Sequence, residues 1–464
     1  MKDFSGESLC HDPIHGYMPF VAQGEQPSDE VVEQQLIDHP WVQRLRQIHQ
    51  LQTAWWVFPT AEHTRFQHVL GVMQLASRAV DELYDSLREV CDDVPSRPYV
   101  ETLMRMAALL HDVGHGPFGH FFDEHFLRDY DLTHESLGCV IIEQELGDLL
   151  RALRRNPHGR LADNEQLDPA QVAYLIRRPK EDDDRPRWLR MLRGLFSGLY
   201  TVDNMDFVLR DAYMTGYSAR AFDLERLLHY SFFTAQGLTI HERGLGALVR
   251  FIEVRAALFR SIYFHRAVRA IDLSLQELFA GSKSFLFPGN PVEHLEAYQG
   301  FTEWTLLNDV AKWSASDDAK KRAWGDRWRA LLRREYRWQM VCERTRYFEP
   351  HETEQGSIFS NESFVVAAIL EQLPKPLKSL SLRVDLPRHI HRPGTRGPAP
   401  GQNFFYDAST GEVRNLTDNA LFKRLPLSYR ICRVYAETNK HNAEIATALD
   451  KLLSPGGVDD VTNM

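Results

Sequence analysis

The feature that most constrains this chain is the three-and-four spacing of apolar residues through its first 280 positions. From Arg65 onward, Val69, Val72, Met73, Ala76, Val80, Leu83 and Leu87 fall on one helical face, the pattern of a helix with one side in a core. The same spacing predicts a second helix through Leu103 to Gly114, a third over Val202 to Gly216 with the glycine as its stop, and a long fourth over Gly246 to Leu278. Ser282 to His294 reads as a loop, because Pro288, Gly289 and Pro291 punctuate it. Residues 301–347 are rich in Trp and Arg. After Pro374 the sequence turns strand-like at 379–384, 404–416 and 429–436, with a Pro/Gly-rich exposed loop at 391–400. No internal repeat appears. The expected fold class is mainly α: a helical core over 1–280, a helical extension over 281–375 and a small α+β region over 376–464.

With 464 residues, 43% hydrophobic and 25% charged, the chain has ample length to bury a large core. No run approaches the roughly 18 apolar residues of a membrane span, and the N-terminal residues lack a signal-peptide pattern. Five scattered cysteines without a CxxC pair indicate neither a disulfide framework nor a thiolate zinc site. The cytoplasm is the expected location. A net charge of −10 argues against a protein that coats nucleic acid everywhere, while leaving room for a local basic groove.

Five of the 20 histidines fall between His111 and His134. His111 and Asp112 end an apolar run, so the core delivers them, and imidazole plus carboxylate suits a divalent ion such as Mn, Fe, Mg or Zn. A second His-Asp pair, His11-Asp12, shows that the dipeptide alone is weak evidence, since Pro13 pushes Asp12 out of helical conformation. Further ligands are available on separate helices at His68 and Asp203. For Asp203, helix N-capping is the competing role.

Six ordered blocks narrow the choice: DPIHG (12–16), QRLRQIHQL (43–51), VFPTAEHTRFQHVLGV (57–72), LLHDVGHGPFGHFFD (109–123), THE (133–135) and DNMDFVLRD (203–211). The order His68, His111-Asp112, Asp203 resembles the signature of the HD superfamily. The blocks together resemble the HD-domain deoxynucleoside triphosphate triphosphohydrolases, in particular the SAM-and-HD-domain branch and its bacterial relatives. The likeness is dense over residues 10–280 and loose beyond, and the expectation is an HD helical core without a SAM domain. It implies that His68, His111, Asp112 and Asp203 hold a catalytic metal, and that His115, His120, Asp123 and His134 line the scissile bond. His134, oriented by Asp123, matches the general acid. Arg65 matches an α-phosphate contact and Arg255 a terminal-phosphate contact, for which a guanidinium fork is suited. Asp211 and Gln50 match groups that bond the sugar 3′-hydroxyl; Leu51 and Tyr263 match the wall that excludes a 2′-hydroxyl. Asn204 stands where the family has a lysine on the γ-phosphate, and Phe207 where it has a tyrosine. Both departures weaken a strict triphosphate requirement.

The resemblance also implies a guanine-nucleotide (GTP or dGTP) activator site at Asp38, Gln43 and Arg46, and part of a deoxynucleotide activator site at Asp223, Arg226, Arg243 and Arg266. Such sites lie between subunits, which implies a homo-oligomer. Against this, residues 38–46 also read as a docking helix with solvated charges. Lys320 to Arg346 carries ten basic against three acidic residues, interleaved with Trp324, Trp328 and Trp338. It reads either as a nucleic-acid contact or as a solvated helix whose tryptophans pack inward. Deoxynucleotides are the expected ligands, with no membrane partner. The rivals are a nucleoside mono- or diphosphate phosphohydrolase and a nucleic-acid-binding HD protein with nuclease action.

Overall fold

The structure is a computed structural model and describes residues 6–24, 27, 30–177, 184–348, 361–390, 404–425 and 428–453. In chain order its principal elements begin with the hairpin β1 (Glu7–Asp12) and β2 (Gly16–Val21). The helices α1 (Arg65–Val90), α2 (Arg97–Leu110), α3 (His120–His125), α4 (His134–Gln144) and α5 (Val202–Met214) follow. Then come β3 (Ser231–Thr234), β4 (Gly237–His241), α6 (Leu245–Leu258), α7 (Arg266–Leu286), α8 (Ala319–Leu332), β5 (Gln339–Phe348) and α9 (Glu362–Gln372). The chain closes with β6 (Leu382–Asp385), β7 (Arg388–Ile390), β8 (Phe404–Asp407), β9 (Glu412–Asn415), β10 (Ser428–Ala436) and α10 (Asn442–Leu453). Helices dominate, and the fold is mainly α.

The three helices that carry the site begin and end for local reasons. Thr64 opens α1, with Gln67 returning its side chain to the Thr64 amide in a capping box. The apolar face expected from the spacing is buried throughout, Val69 to Leu87. Ser96 caps α2 by accepting from the Tyr99 amide, and the helix stops at Leu110, before the expected Gly114. His111 to Gly114 is a turn. At α5 the cap is Thr201, whose hydroxyl accepts from the Asn204 amide at 3.0 Å. Asp203 is therefore released from capping.

Two expectations about helices are corrected. The single helix predicted over 246–278 is broken: α6 stops at Leu258, a π-helical turn follows at Phe259–Tyr263, and α7 starts at Arg266. The Phe264 amide reaches back to the Phe259 carbonyl at 2.8 Å, the wider ring of a π turn. The loop predicted from Ser282 begins only after Leu286, since Pro288 is the first residue able to stop the helix.

The chain forms two compact units that interleave in sequence: 1–258 with 284–309 and 396–424, and 259–283 with 310–395 and 425–464. The first contains the helices α1 to α6 and a four-stranded sheet in the order β9-β8-β4-β3. There β8 lies parallel to β4, with Phe404 opposite Thr239 and Tyr406 opposite His241. The hairpin expected within a C-terminal α+β region thus belongs to the sheet of the first unit. In the second unit β10 is flanked by β5 on one side and by β6 and β7 on the other. One face of that sheet packs Cys342, Val384, Cys432 and Val434 against Val365 and Ile369 of α9 and Ile445 and Leu449 of α10. The Trp/Arg stretch is split between α8 and β5 in this unit. Trp328 and Trp338 are buried, and Trp338 donates to Glu277. The predicted loop at 391–400 lies outside the described residues.

Candidate metal centre and active site

Asp112 sits in the turn that follows α2, His68 one turn into α1 and Asp203 at the start of α5. These elements bring the four predicted ligands together. His68 Nε2 is 3.1 Å from Asp203 Oδ1 and 4.0 Å from Asp112 Oδ2. His111 Nε2 is 3.3 Å from Asp112 Oδ1 and 3.8 Å from Asp203 Oδ1. The remaining ring nitrogens are committed elsewhere. His111 Nδ1 lies 2.8 Å from the Ala108 carbonyl, and His68 Nδ1 lies 2.7 Å from Asp206 Oδ2. Both Nε2 atoms therefore face the carboxylates, and His111 Nε2 is buried without a hydrogen-bond partner. Two imidazoles held by their Nδ1 atoms and two carboxylates fit a divalent metal ion.

Charge at this cluster is tightly coupled. Burial works against both charged forms here. For Asp112 it is outweighed by Arg65, His111 and His115, which hold the carboxyl well below its usual range. For His68 the hydrogen bonds to Asp203 and Asp206 outweigh burial and push the ring up to about 10. Arg65 Nη1 donates to Asp112 Oδ2 at 2.7 Å, so this arginine touches the metal aspartate itself. Gly119 packs against its guanidinium with φ +56, and a Cβ there would come within 2.4 Å of Arg65 Nη2.

The second histidine group stands beside the first. His115 Nε2 is 3.4 Å from Asp112 Oδ1, and its Nδ1 is 3.7 Å from Asp123 Oδ1. Its ring stacks on His134 at 3.7 Å between centroids. His134 Nδ1 is 2.5 Å from Asp123 Oδ2. Burial raises Asp123, but His115 and His134 more than reverse this and hold it ionised. His120, largely exposed, approaches the same carboxylate at 3.4 Å. A carboxylate that fixes one nitrogen of His134 leaves Nε2 for proton transfer.

Asp211 is buried, 2.7 Å from His63 Nε2, and the His63 carbonyl accepts from the Gln50 amide. His63 thus joins the two residues matched to the sugar. Leu51 is buried, and Asn204 and Phe207 are half-buried on α5. Arg255 is buried, donates to the Leu199 carbonyl and lies over Phe251. Tyr263 and Arg266 belong to the second unit. Of the proposed activator residues, Gln43 accepts from Arg46, whose guanidinium lies 3.6 Å over Phe66, and Asp38 is exposed. Asp223 caps a short helix by accepting from the Arg226 amide, and Arg226 Nε donates to the Arg243 carbonyl.

Several residues of this architecture carry no metal-type motif. Asp206 accepts from Arg210 Nε and Nη2, both at 2.9 Å, and lies 2.7 Å from both His15 Nε2 and His68 Nδ1. Asp12 in turn accepts from Arg210 Nη1 at 2.7 Å. The pair His11-Asp12 is no metal site, yet Asp12 anchors the network behind one.

Residues 65–182 match the family model described as "HD domain". The chain carries an HD domain. The matched stretch contains His68, His111 and Asp112, and Asp203 lies beyond it. The chain is 29% identical to the uncharacterized protein YwfO of Bacillus subtilis over 84% of this chain and 83% of that one. It is 29% identical to the deoxynucleoside triphosphate triphosphohydrolase SAMHD1 of Bos taurus, covering 58% of this chain and 47% of that one. It is 26% identical to human SAMHD1, covering 64% and 50%. The chain therefore spans about half the length of these SAMHD1 proteins. A hypothetical protein from Aquifex aeolicus shares the fold, with a TM-score of 0.67 at 21% identity, over 96% of this chain and all of that one. The HD-domain match thus falls on the stretch that holds three of the four candidate metal ligands. No helix among the described residues is long and apolar enough to cross a membrane.

Proposed function

We propose that the chain hydrolyses deoxynucleoside triphosphates to deoxynucleoside and tripolyphosphate. The observation that carries this reading is the adjacency of the two histidine groups, joined by His115 between Asp112 and Asp123. His68, His111, Asp112 and Asp203 would hold a divalent ion, which would supply a Lewis acid for phosphate and lower the pKa of water. Arg65, held against Asp112, presents its fork to the phosphoryl group. His134, its Nδ1 fixed by Asp123, delivers a proton to the leaving 5′-oxygen. Water adds to the α-phosphorus, the bond from that phosphorus to O5′ breaks, the proton from His134 completes the deoxynucleoside, and the proton lost by the water goes to solvent, from which His134 is reprotonated. Gln50 and Asp211, linked through His63, would read the 3′-hydroxyl, with Leu51 against the 2′-position. Binding of a guanine nucleotide at Asp38, Gln43 and Arg46, and assembly into an oligomer, belong to the same proposal.

In ¹⁸O-labelled water with Mn(II) or Mg(II) and each dNTP, singly and mixed, the label should enter tripolyphosphate and not the deoxynucleoside. Release of pyrophosphate plus dNMP, or of orthophosphate plus dNDP, would overturn it. Part of the charge in the basic stretch behind the nucleic-acid alternative is neutralised locally. Arg327 and Arg337 pair with Glu277, Arg329 with Asp326, and Arg344 with Asp450.

A further inference from the structure

Arg44 is a fully buried cation without a carboxylate partner among the described residues. Its exposure is 4%, and its five hydrogen bonds all go to backbone carbonyls. Nη1 donates to Val113 at 3.2 Å and His115 at 2.7 Å. Nη2 donates to Tyr298 at 3.2 Å and Phe301 at 2.7 Å, and Nε to Gln299 at 3.2 Å. The carbonyl between the first two, that of Gly114, accepts from the Tyr298 hydroxyl at 2.8 Å. Three successive carbonyls of the loop leaving Asp112 are thus held from one side.

The opposite side of the same loop is held by contact. A Cβ on Gly114 would lie 2.0 Å from the His134 carbonyl and 2.6 Å from the Gly138 amide, so the loop rests directly on the first turn of α4. That turn carries His134, whose ring stacks on His115. A loop gripped between carbonyl donors and a helix backbone has little freedom to slide, and a shift of about 1 Å at reacting groups can cost about a hundredfold in rate. Burying a guanidinium without a counter-ion is costly. Five acceptors spread around a planar fork offset that cost in a way three ammonium protons cannot.

We infer that Arg44 and Tyr298 are positioning residues whose grip on the 113–115 carbonyls sets the distance between the metal aspartate and His134. The inference rests on the reading of His134 as the proton donor. It is tested with Tyr298→Phe, which removes one hydroxyl from a packed ring, and with Arg44→Lys. Both variants should bind one Mn(II) with the parent's affinity and keep the parent's KM for dNTP, while kcat falls about tenfold. Unchanged kcat in both would overturn the inference, as would parallel loss of kcat, metal affinity and melting temperature, which would mean general loosening. The His134 ring resonances in ¹⁵N-histidine-labelled protein, identified by their loss in His134→Ala, give a readout without substrate. They should shift in Tyr298→Phe, and unchanged resonances would overturn the grip whatever the substrate is. A parent that binds Mn(II) but turns over no dNTP would instead sink the proposed function, leaving the resonances to judge the grip.

Discussion

Asp206 shows how far a metal centre extends beyond its ligands. It holds His68 Nδ1 while bonded to His15 and Arg210, and the Arg210 charge with these hydrogen bonds keeps it well below the usual carboxylate range despite burial. Asp206→Asn should cut Mn(II) affinity by about 10- to 100-fold, measured by calorimetry; parent affinity would show that His68 needs no such anchor. The four candidate ligands stood out in the sequence because histidine and aspartate cluster at helix ends in a known order, and the structure brings those four side chains together. Asp206 and His15 were not, because they stand 191 residues apart and resemble any core-facing polar residue. A second buried histidine has a consequence in pH. Burial opposes charge on His49, but Glu303 and Glu62 outweigh it and raise its pKa above the usual value. The stability this pair contributes is complete below the unfolded histidine's pKa of about 6.5 and declines as pH rises through the higher folded-state value. Glu303→Gln should therefore lower the melting temperature at pH 6 more than at pH 9; an equal drop at both would remove His49 protonation as the cause.

At the level of elements, the helices were readable from spacing and their crossings were not. Nothing in the pattern of α1 shows that Gly71 faces α5 so closely that a Cβ would fall 2.0 Å from Asp206 Oδ1 and 2.3 Å from Arg210 Nη2. Those atoms belong to flexible side chains, but the network around Asp206 locks them. Gly71→Ala should cost about 1–3 kcal/mol in urea unfolding and should weaken Mn(II) binding with it. Full stability would mean that the network yields without loss. The break after Leu258 leaves no mark in composition: no proline or glycine lies between Ala247 and Leu278 to announce it. Thr201 also explains why Asp203 was ambiguous, since either residue satisfies the composition of an N-cap and only geometry assigns it.

For the whole molecule, a partition into consecutive segments misses the interleaving of the two units, because strand pairing across 165 residues leaves no local mark. The hairpin β8–β9 alternates like any surface hairpin, and only the register of Phe404 to Tyr406 on β4 attaches it to the unit that holds the metal centre. Phe405 is 5% exposed there, and Leu416 and Phe422, just beyond the hairpin, are buried with it. Without β8, the β4 edge would present unpaired amides and carbonyls to solvent. Phe405→Ala should cost about 3–5 kcal/mol, and the loss should be local in its first effects. In hydrogen exchange read by mass spectrometry, peptides covering β4 should lose protection while those covering β10 in the other unit keep theirs. If Mn(II) binds at the candidate metal centre of the folded first unit, a saturating concentration should restore part of the β4 protection by mass action. Loss of protection in β10 with β4 unaffected would assign the hairpin, energetically, to the second unit.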